Sequence, residues 1–148
     1  AGRFAAKRLP GYIICQLAGA LLASATLRLL FPANEYLGST LPAGSDMQSF
    51  VMELLLTFFL MLVIVNVATG SKEQGMFAGI AIGAVVTLEA MFAGPVCGAS
   101  MNPVRSIAPA VVSGHVQHLW LYIVAPVAGA ILAIPTWRYL TNNTKPNT

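Results

Sequence analysis

Gly94-Pro-Val-Cys-Gly-Ala-Ser-Met-Asn-Pro-Val-Arg-Ser-Ile-Ala-Pro109 is the stretch of sequence that decides the fold. A mostly apolar run of about twenty residues precedes it and another closes the chain, and each is long enough to cross a bilayer. Between these runs the glycines and prolines interrupt regular helix. Non-helical backbone at membrane depth is tolerated only where protein buries it or where it lines a water-filled cavity. The sequence therefore predicts a re-entrant pore segment.

The composition also indicates a membrane protein. Of the 148 residues, 57% are hydrophobic and 9% are charged, whereas soluble domains have about 25% charged residues. The basic residues form no patch with interleaved aromatic side chains, so nucleic acid is not an expected partner despite the net charge of +3. Cys15 and Cys97 indicate no disulfide framework. We expect no enzyme activity, no cofactor and no metal site, and we interpret His115 and His118 as solvated side chains of a loop.

Four apolar runs and one short helix make up the predicted fold. The sequence predicts an all-α membrane protein with four transmembrane helices and one re-entrant half-helix. The expected spans run from about Gly11 to Phe31, Met47 to Ala68, Met76 to Ala93 and Leu119 to Leu140.

The distribution of positive charge predicts the orientation of these spans. Basic residues flank the start of the first span, the link after the second and the end of the last, and with four spans these regions share one side of the membrane. The positive-inside rule makes that side, and the C-terminus, cytoplasmic in a plasma or inner membrane. The basic residues concerned are Arg3, Lys7, Arg8, Lys72, Arg138 and Lys145.

Asn102-Pro103 predicts the start of the half-helix. Asparagine is a good N-cap, and proline is favoured in the first helical turn because its missing N–H would be unpaired there. A helix from Pro103 to about Val112 is about 15 Å long, roughly half the hydrocarbon thickness. Its N-terminus would lie near the bilayer midplane, where the helix dipole repels cations and the Asn102 amide offers a donor. An ordinary capped helix is the alternative interpretation, and the half length favours the pore.

Arg105 lies three residues after this cap. A charged side chain at membrane depth usually faces a cavity or a partner. We expect its guanidinium to face the outer mouth of the pore, where it would repel cations and bind oxygen atoms of neutral solutes. A structural arginine paired with a carboxylate is the alternative.

The run from Gly98 to Ser106, followed by Ala108-Pro-Ala110, resembles the second signature loop of the major intrinsic proteins, the aquaporins and aquaglyceroporins. Gln16-Leu-Ala-Gly-Ala20, Glu53 and the start of the last span also resemble that family. Members have six spans and two such loops in inverted repeats. The resemblance therefore implies that residues 1–148 form a single partial channel domain, equivalent to the third to sixth spans, which should not conduct alone.

The resemblance also implies roles for individual residues. Ala90, Ala99 and Arg105 would form three of four selectivity-filter positions, and Glu53 and Gln16 would support the loop. Glu89 is expected to make structural hydrogen bonds or to face the pore rim. The signature loop and pore lining would comprise Cys97, Gly98, Ser100, Met101, Asn102, Pro103 and Val104.

Two alanines in the filter imply a wide constriction, and Val104 resembles nodulin-type and related bacterial members. The implied solutes are water and small uncharged molecules such as glycerol and boric or arsenous acid, with protons and ions excluded. Ser106 and Ala110 instead resemble water-selective channels, which remain the alternative. A secondary transporter and a junction-forming homologue with a closed pore are less favoured. The family habit implies a homotetramer in the lipid bilayer.

Overall fold

Five helices form the fold of the described part of the chain. The computed structural model describes residues 5–69 and 75–143, so Arg3, Lys72 and Lys145 lie outside the described residues. A short 3₁₀ turn, Ala6–Arg8, precedes the first long helix. The helices are α1 (Leu9–Leu30), α2 (Asp46–Thr69), α3 (Ala78–Cys97), α4 (Pro103–Ser113) and α5 (Leu119–Asn143).

Four of these helices, all but α4, are long and apolar enough to cross a membrane. The prediction of an all-α, aquaporin-like membrane fold with four long helices and one short one is confirmed. Pro10 lies in the first turn of α1, where its missing N–H costs no hydrogen bond. The apolar runs form the long helices, and the ends of these helices lie within a few residues of the expected positions.

The end of α3 differs from the prediction. The helix continues through Gly94 and Pro95 to Cys97 and ends at Gly98, whose φ of +82° suits a residue without a side chain. Its last carbonyls are satisfied from elsewhere in the fold: Ala43 N donates to Val96 O, and the Tyr122 hydroxyl donates to Cys97 O. Because a proline lacks an N–H, Pro95 leaves the carbonyl of Met91 without its usual helical partner, but the helix continues for two residues beyond it. The irregular segment is therefore shorter than predicted and comprises residues 98–102.

Helix packing within the described residues forms an open series in the order α3, α2, α5, α4, α1. The contact between α2 and α5 is the most extensive. Gly129 of α5 permits it, since a Cβ there would clash with the Leu54 carbonyl oxygen of α2 and lie 3.0 Å from the Phe58 nitrogen. At the other end of the series α1 packs only against α4 and its own 3₁₀ turn, and Ser24 is its one buried residue.

Candidate functional site

Asn102 caps α4 at the place where the irregular segment becomes helix. Its backbone is extended, with φ of −150°, and its side-chain Oδ1 accepts the N–H of Val104 at 3.0 Å. Pro103 follows in the first helical position. Because the amide oxygen is used by the cap, the amide nitrogen is the group that Asn102 can offer to a ligand. The side chain is exposed and borders a cavity.

Residues 98–102, here called the 98–102 loop, have a strained backbone. Ala99 and Met101 have φ of +42° and +53°, in the left-handed region that costs energy for residues with a side chain. The buried carboxylate of Glu53 in α2 holds this shape: Oε1 accepts the N–H of Ser100 at 2.7 Å and Oε2 accepts the N–H of Met101 at 2.8 Å. Both carboxylate oxygens thus have partners, which compensates the cost of burying the group.

The same hydrogen bonds fix the direction of two carbonyl groups. None of the peptide bonds in the described residues is cis, and in a trans peptide the C=O points opposite to the following N–H. Since the N–H groups of Ser100 and Met101 point at Glu53, the carbonyls of Ala99 and Ser100 point away from it. The loop therefore presents these two carbonyl oxygens, as hydrogen-bond acceptors, on the side that faces away from the Glu53 carboxylate.

Arg105 lies one turn into α4 and is anchored by the 31–45 loop, which joins α1 to α2. Its Nη1 donates to the carbonyl of Gly38 at 2.7 Å. Gly38 and Leu37 both have positive φ, +78° and +50°. This turn places a backbone carbonyl, rather than a carboxylate, against the guanidinium. Within the described residues, no anionic partner therefore offsets the positive charge of Arg105.

A cavity of about 580 Å³ lies at the start of α4. One part of its wall is polar and includes Asn102, Arg105, Ser100 and Thr57. The remainder is mostly apolar. The complete lining is Gln16, Thr57, Leu60, Met61, Ile64, Val86, Ser100, Met101, Asn102, Pro103, Arg105, Pro126, Val127 and Ala130.

Comparison with known proteins decides the family. The family model described as "Major intrinsic protein" matches residues 1–137. The chain belongs to the major intrinsic protein family.

Its relatives include nodulin-type members, as Val104 led us to expect. Maize aquaporin NIP1-1 is 47% identical over 146 residues, which cover 98% of this chain and 52% of that protein. Soybean nodulin-26 is 47% identical over 145 residues, 97% of this chain and 54% of that protein. Aquaporin NIP3-1 of Arabidopsis thaliana is 47% identical, over 97% of this chain and 47% of that protein. The chain spans about half the length of the curated relatives it matches, and its long apolar helices make it an integral, multi-pass membrane protein.

The structure brings some of the residues expected from the family pattern to the cavity and leaves others outside it. Six of them border the cavity: Gln16, Ser100, Met101, Asn102, Pro103 and Arg105. Gln16 makes no side-chain hydrogen bond to the 98–102 loop among the described residues, in contrast to Glu53. Gly98 begins the 98–102 loop and Val104 lies in the first turn of α4, and neither lines the cavity.

Two of the three expected filter residues, Ala90 and Ala99, do not line this cavity. Ala90 is exposed on α3, and the Ala99 methyl group is buried, 8% exposed, in a cluster with Leu56 and Ala93. The left-handed backbone at Ala99 turns its side chain into the core. Through its side chain, only Arg105 of the three borders the cavity.

Cys97 requires a correction. We grouped it with the pore loop, but it is the last residue of α3 and is fully buried in the core cluster. Its thiol donates to Ala93 O along its own helix at 3.5 Å. The reason is the extra helical turn beyond the predicted end at Ala93, which places position 97 in the core.

Glu89 and the two histidines do not line this cavity. Glu89 is buried, and its Oε2 has no hydrogen-bond partner among the described residues. His115 Nε2 lies 3.6 Å from Glu35 Oε1, and His118 Nδ1 lies 2.8 Å from Asp46 Oδ1 without hydrogen-bond alignment. Both histidine side chains are partly exposed, 24% for His115 and 39% for His118, and each lies next to a carboxylate.

Sequence reasoning missed two contributors to the site. Gly38 acts through its backbone carbonyl, which no sequence pattern marks. Thr57 borders the cavity, and its position as one of the few polar residues in the second apolar run was a usable signal.

Proposed function

We propose that this chain is part of a passive transmembrane channel for small uncharged solutes and water. The observation that carries the proposal is the short helix α4, which begins inside the bundle with Asn102 and Arg105 on the wall of one cavity. A helix N-terminus concentrates unpaired N–H groups and positive potential. A neutral molecule can use these donors, whereas a cation or a proton is repelled.

Donors and acceptors on the cavity wall support this proposal. The Asn102 amide nitrogen and the Arg105 guanidinium can donate, and the carbonyl of Ser100, which points away from Glu53, can accept. A solute with hydroxyl groups needs both kinds of partner to replace the water it leaves behind. The apolar wall of Leu60, Ile64 and Val127 suits its carbon skeleton.

The solute class rests on the proposed filter. We retain Ala90, Ala99 and Arg105 as filter positions, with Ala99 contributing its carbonyl rather than a bulky side chain. Small residues at two positions favour a constriction that admits glycerol and boric or arsenous acid as well as water. A water-selective channel is the second candidate, because Ser106 and Ala110 resemble that pattern.

The complete channel, its orientation and its assembly are parts of the same proposal. We assign residues 1–148 to the second half of a channel domain, since relatives are about twice as long. The missing half would pack on the open faces of α1 and α3 and close the cavity. The domain would lie in a plasma or inner membrane with its C-terminus cytoplasmic, and would assemble as a homotetramer.

Stopped-flow light scattering on proteoliposomes tests the proposal. The full-length protein that contains this chain is reconstituted and exposed to gradients of water, glycerol and boric acid. We expect rapid entry of all three and a selective loss of solute entry in Ala90→His. Ala90 is suitable because it is exposed, whereas enlarging the buried Ala99 would disturb the core. Fast water flux without solute entry would support the water-selective candidate, and no flux above empty vesicles would contradict both.

A further inference from the structure

Three hydroxyl groups form a continuous buried chain behind the candidate pore. The Thr40 hydroxyl donates to the Ser106 hydroxyl at 2.7 Å, and the Ser106 and Ser100 hydroxyls lie 2.6 Å apart. Ser100 Oγ donates to the carbonyl of Asn102 at 2.9 Å. All three serine and threonine side chains are buried, with exposures of 6% or less. They come from the 31–45 loop, the 98–102 loop and α4.

The direction of donation along this chain follows from its ends. Each hydroxyl has one proton. Ser100 uses its proton on the Asn102 carbonyl, so the Ser106 proton must serve the contact with Ser100, and Thr40 supplies the bond to Ser106. The chain is therefore unidirectional, from Thr40 through Ser106 and Ser100 to Asn102. Hydrogen bonds in such a chain polarise and strengthen one another in a low-dielectric interior.

The chain begins next to the anchor of Arg105. Thr40 lies two residues after Gly38, whose carbonyl binds the guanidinium. The Thr40 methyl group packs against Gly98, where an added Cβ would lie 3.0 Å from it. One segment of the 31–45 loop thus contacts Arg105 and, through the hydroxyls, the residue that caps α4.

We propose that Thr40, Ser106 and Ser100 are positioning residues that orient the Asn102 cap and couple its placement to that of Arg105. This inference rests on the proposed function, because it assigns the hydroxyl chain to solute selection at the same site. The Asn102 carbonyl belongs to the residue whose side-chain oxygen caps α4 and which borders the cavity. Fixing that carbonyl fixes the direction of the amide donor relative to the guanidinium.

A matched pair of variants separates the hydroxyl from the packing of Thr40. Thr40→Val keeps the branched shape but removes the proton donor, and Thr40→Ser keeps the donor but removes the methyl group. Ser106→Ala interrupts the chain in its middle, leaving Thr40 without its acceptor and Ser100 without its donor. The order of effect expected for a hydroxyl chain is therefore Ser106→Ala, then Thr40→Val, with Thr40→Ser close to wild type.

Two measurements on the full-length protein test the proposal. Hydrogen–deuterium exchange reports the order of residues 98–104 independently of transport, and stopped-flow scattering reports the glycerol-to-water permeability ratio. In Thr40→Val we expect exchange in this segment to be about fivefold faster, the size of effect that one net hydrogen bond provides. We expect the permeability ratio to change in Thr40→Val and Ser106→Ala and to be retained in Thr40→Ser.

The outcomes distinguish this inference from the proposed function. Unchanged exchange in both hydroxyl-deletion variants would overturn the inference whatever the transport result. Faster exchange with an unchanged permeability ratio would also overturn it, since the hydroxyls would then only stabilise the fold. A Thr40→Ser protein as altered as Thr40→Val would assign the effect to the methyl group instead. A wild-type protein that passes no water or solute would contradict the proposed function, while exchange would still decide whether the hydroxyls order the loop.

Discussion

Arg105 in α4 is hydrogen-bonded to the carbonyl of Gly38, 67 positions earlier in the chain, at 2.7 Å. A carbonyl holds the guanidinium in place without neutralising it, whereas a carboxylate would do both. The placement of the charge at the cavity therefore depends on the local conformation of the 31–45 loop. That conformation includes a positive φ at Gly38.

Gly38→Ala should loosen this anchor. A Cβ at position 38 meets no atom within 4 Å, so the effect comes from the positive φ alone. Strain of about 1 kcal/mol, or about fivefold in an equilibrium constant, is expected for a side chain in this region. We expect a changed glycerol-to-water permeability ratio in proteoliposomes of the full-length protein. Gly114→Ala, which introduces a side chain at a similar φ of +87° with no atom within 4 Å, is the control at the other end of α4, and an equal response in both variants would contradict the role of the Gly38 conformation.

Glu53→Gln should destabilise the 98–102 loop. The carboxylate accepts two N–H groups, and a glutamine amide offers one oxygen and turns an NH₂ group towards the other donor. Leaving a buried donor without a partner costs about 1–3 kcal/mol. Thermal unfolding of the detergent-solubilised full-length protein measures this loss.

Glu89→Gln is the matched control for that prediction. Glu89 is also buried, but its Oε2 has no hydrogen-bond partner in the described part of the chain. We expect its neutral replacement to change the unfolding temperature less than Glu53→Gln does. A larger loss in Glu89→Gln would show that the two N–H bonds of Glu53 are not the main stabilising feature.

Gly129→Ala should separate α2 from α5. The new methyl group would clash with the backbone carbonyl of Leu54, and backbone atoms cannot move aside as a flexible side chain can. Overpacking of this kind costs about 1–3 kcal/mol. A lower unfolding temperature is expected, with Gly75→Ala as the control, because Gly75 lies in the link before α3 and its Cβ would meet nothing within 4 Å. Equal stability of the two variants would contradict the close contact.

Mercurial reagents should leave transport through this half of the channel unaffected. Cys97 is fully buried in the core and Cys15 is exposed on α1, away from the cavity lining. The experiment uses the full-length protein with cysteines outside residues 1–148 replaced by serine. Ala130→Cys, which adds a thiol to the cavity wall, provides the positive control and should make flux sensitive to mercury. Inhibition that occurs without Ala130→Cys and persists in Cys15→Ser would return Cys97 to the pore lining.

The sequence by itself determined the elements of this fold. Apolar runs long enough to span a bilayer, and the capping chemistry of Asn102-Pro103, are local properties, so the four long helices and the start of α4 were predictable. The unusual sequence from Gly98 to Ser106 also identified the family. Prediction failed at the end of α3, which continues past Gly94 and Pro95 to Cys97 and whose last carbonyls accept hydrogen bonds from Ala43 and Tyr122, residues that are remote in sequence.

Only the tertiary structure decided how the site is held. Glu53 reaches Ser100 across 47 positions, and the Gly38 carbonyl, which carries no sequence signal, anchors Arg105. The inward direction of the Ala99 methyl group likewise follows from a left-handed backbone that the Glu53 hydrogen bonds stabilise. Local sequence specifies which residues can cap, turn or span, whereas the direction of each donor and acceptor depends on contacts that form when distant helices pack.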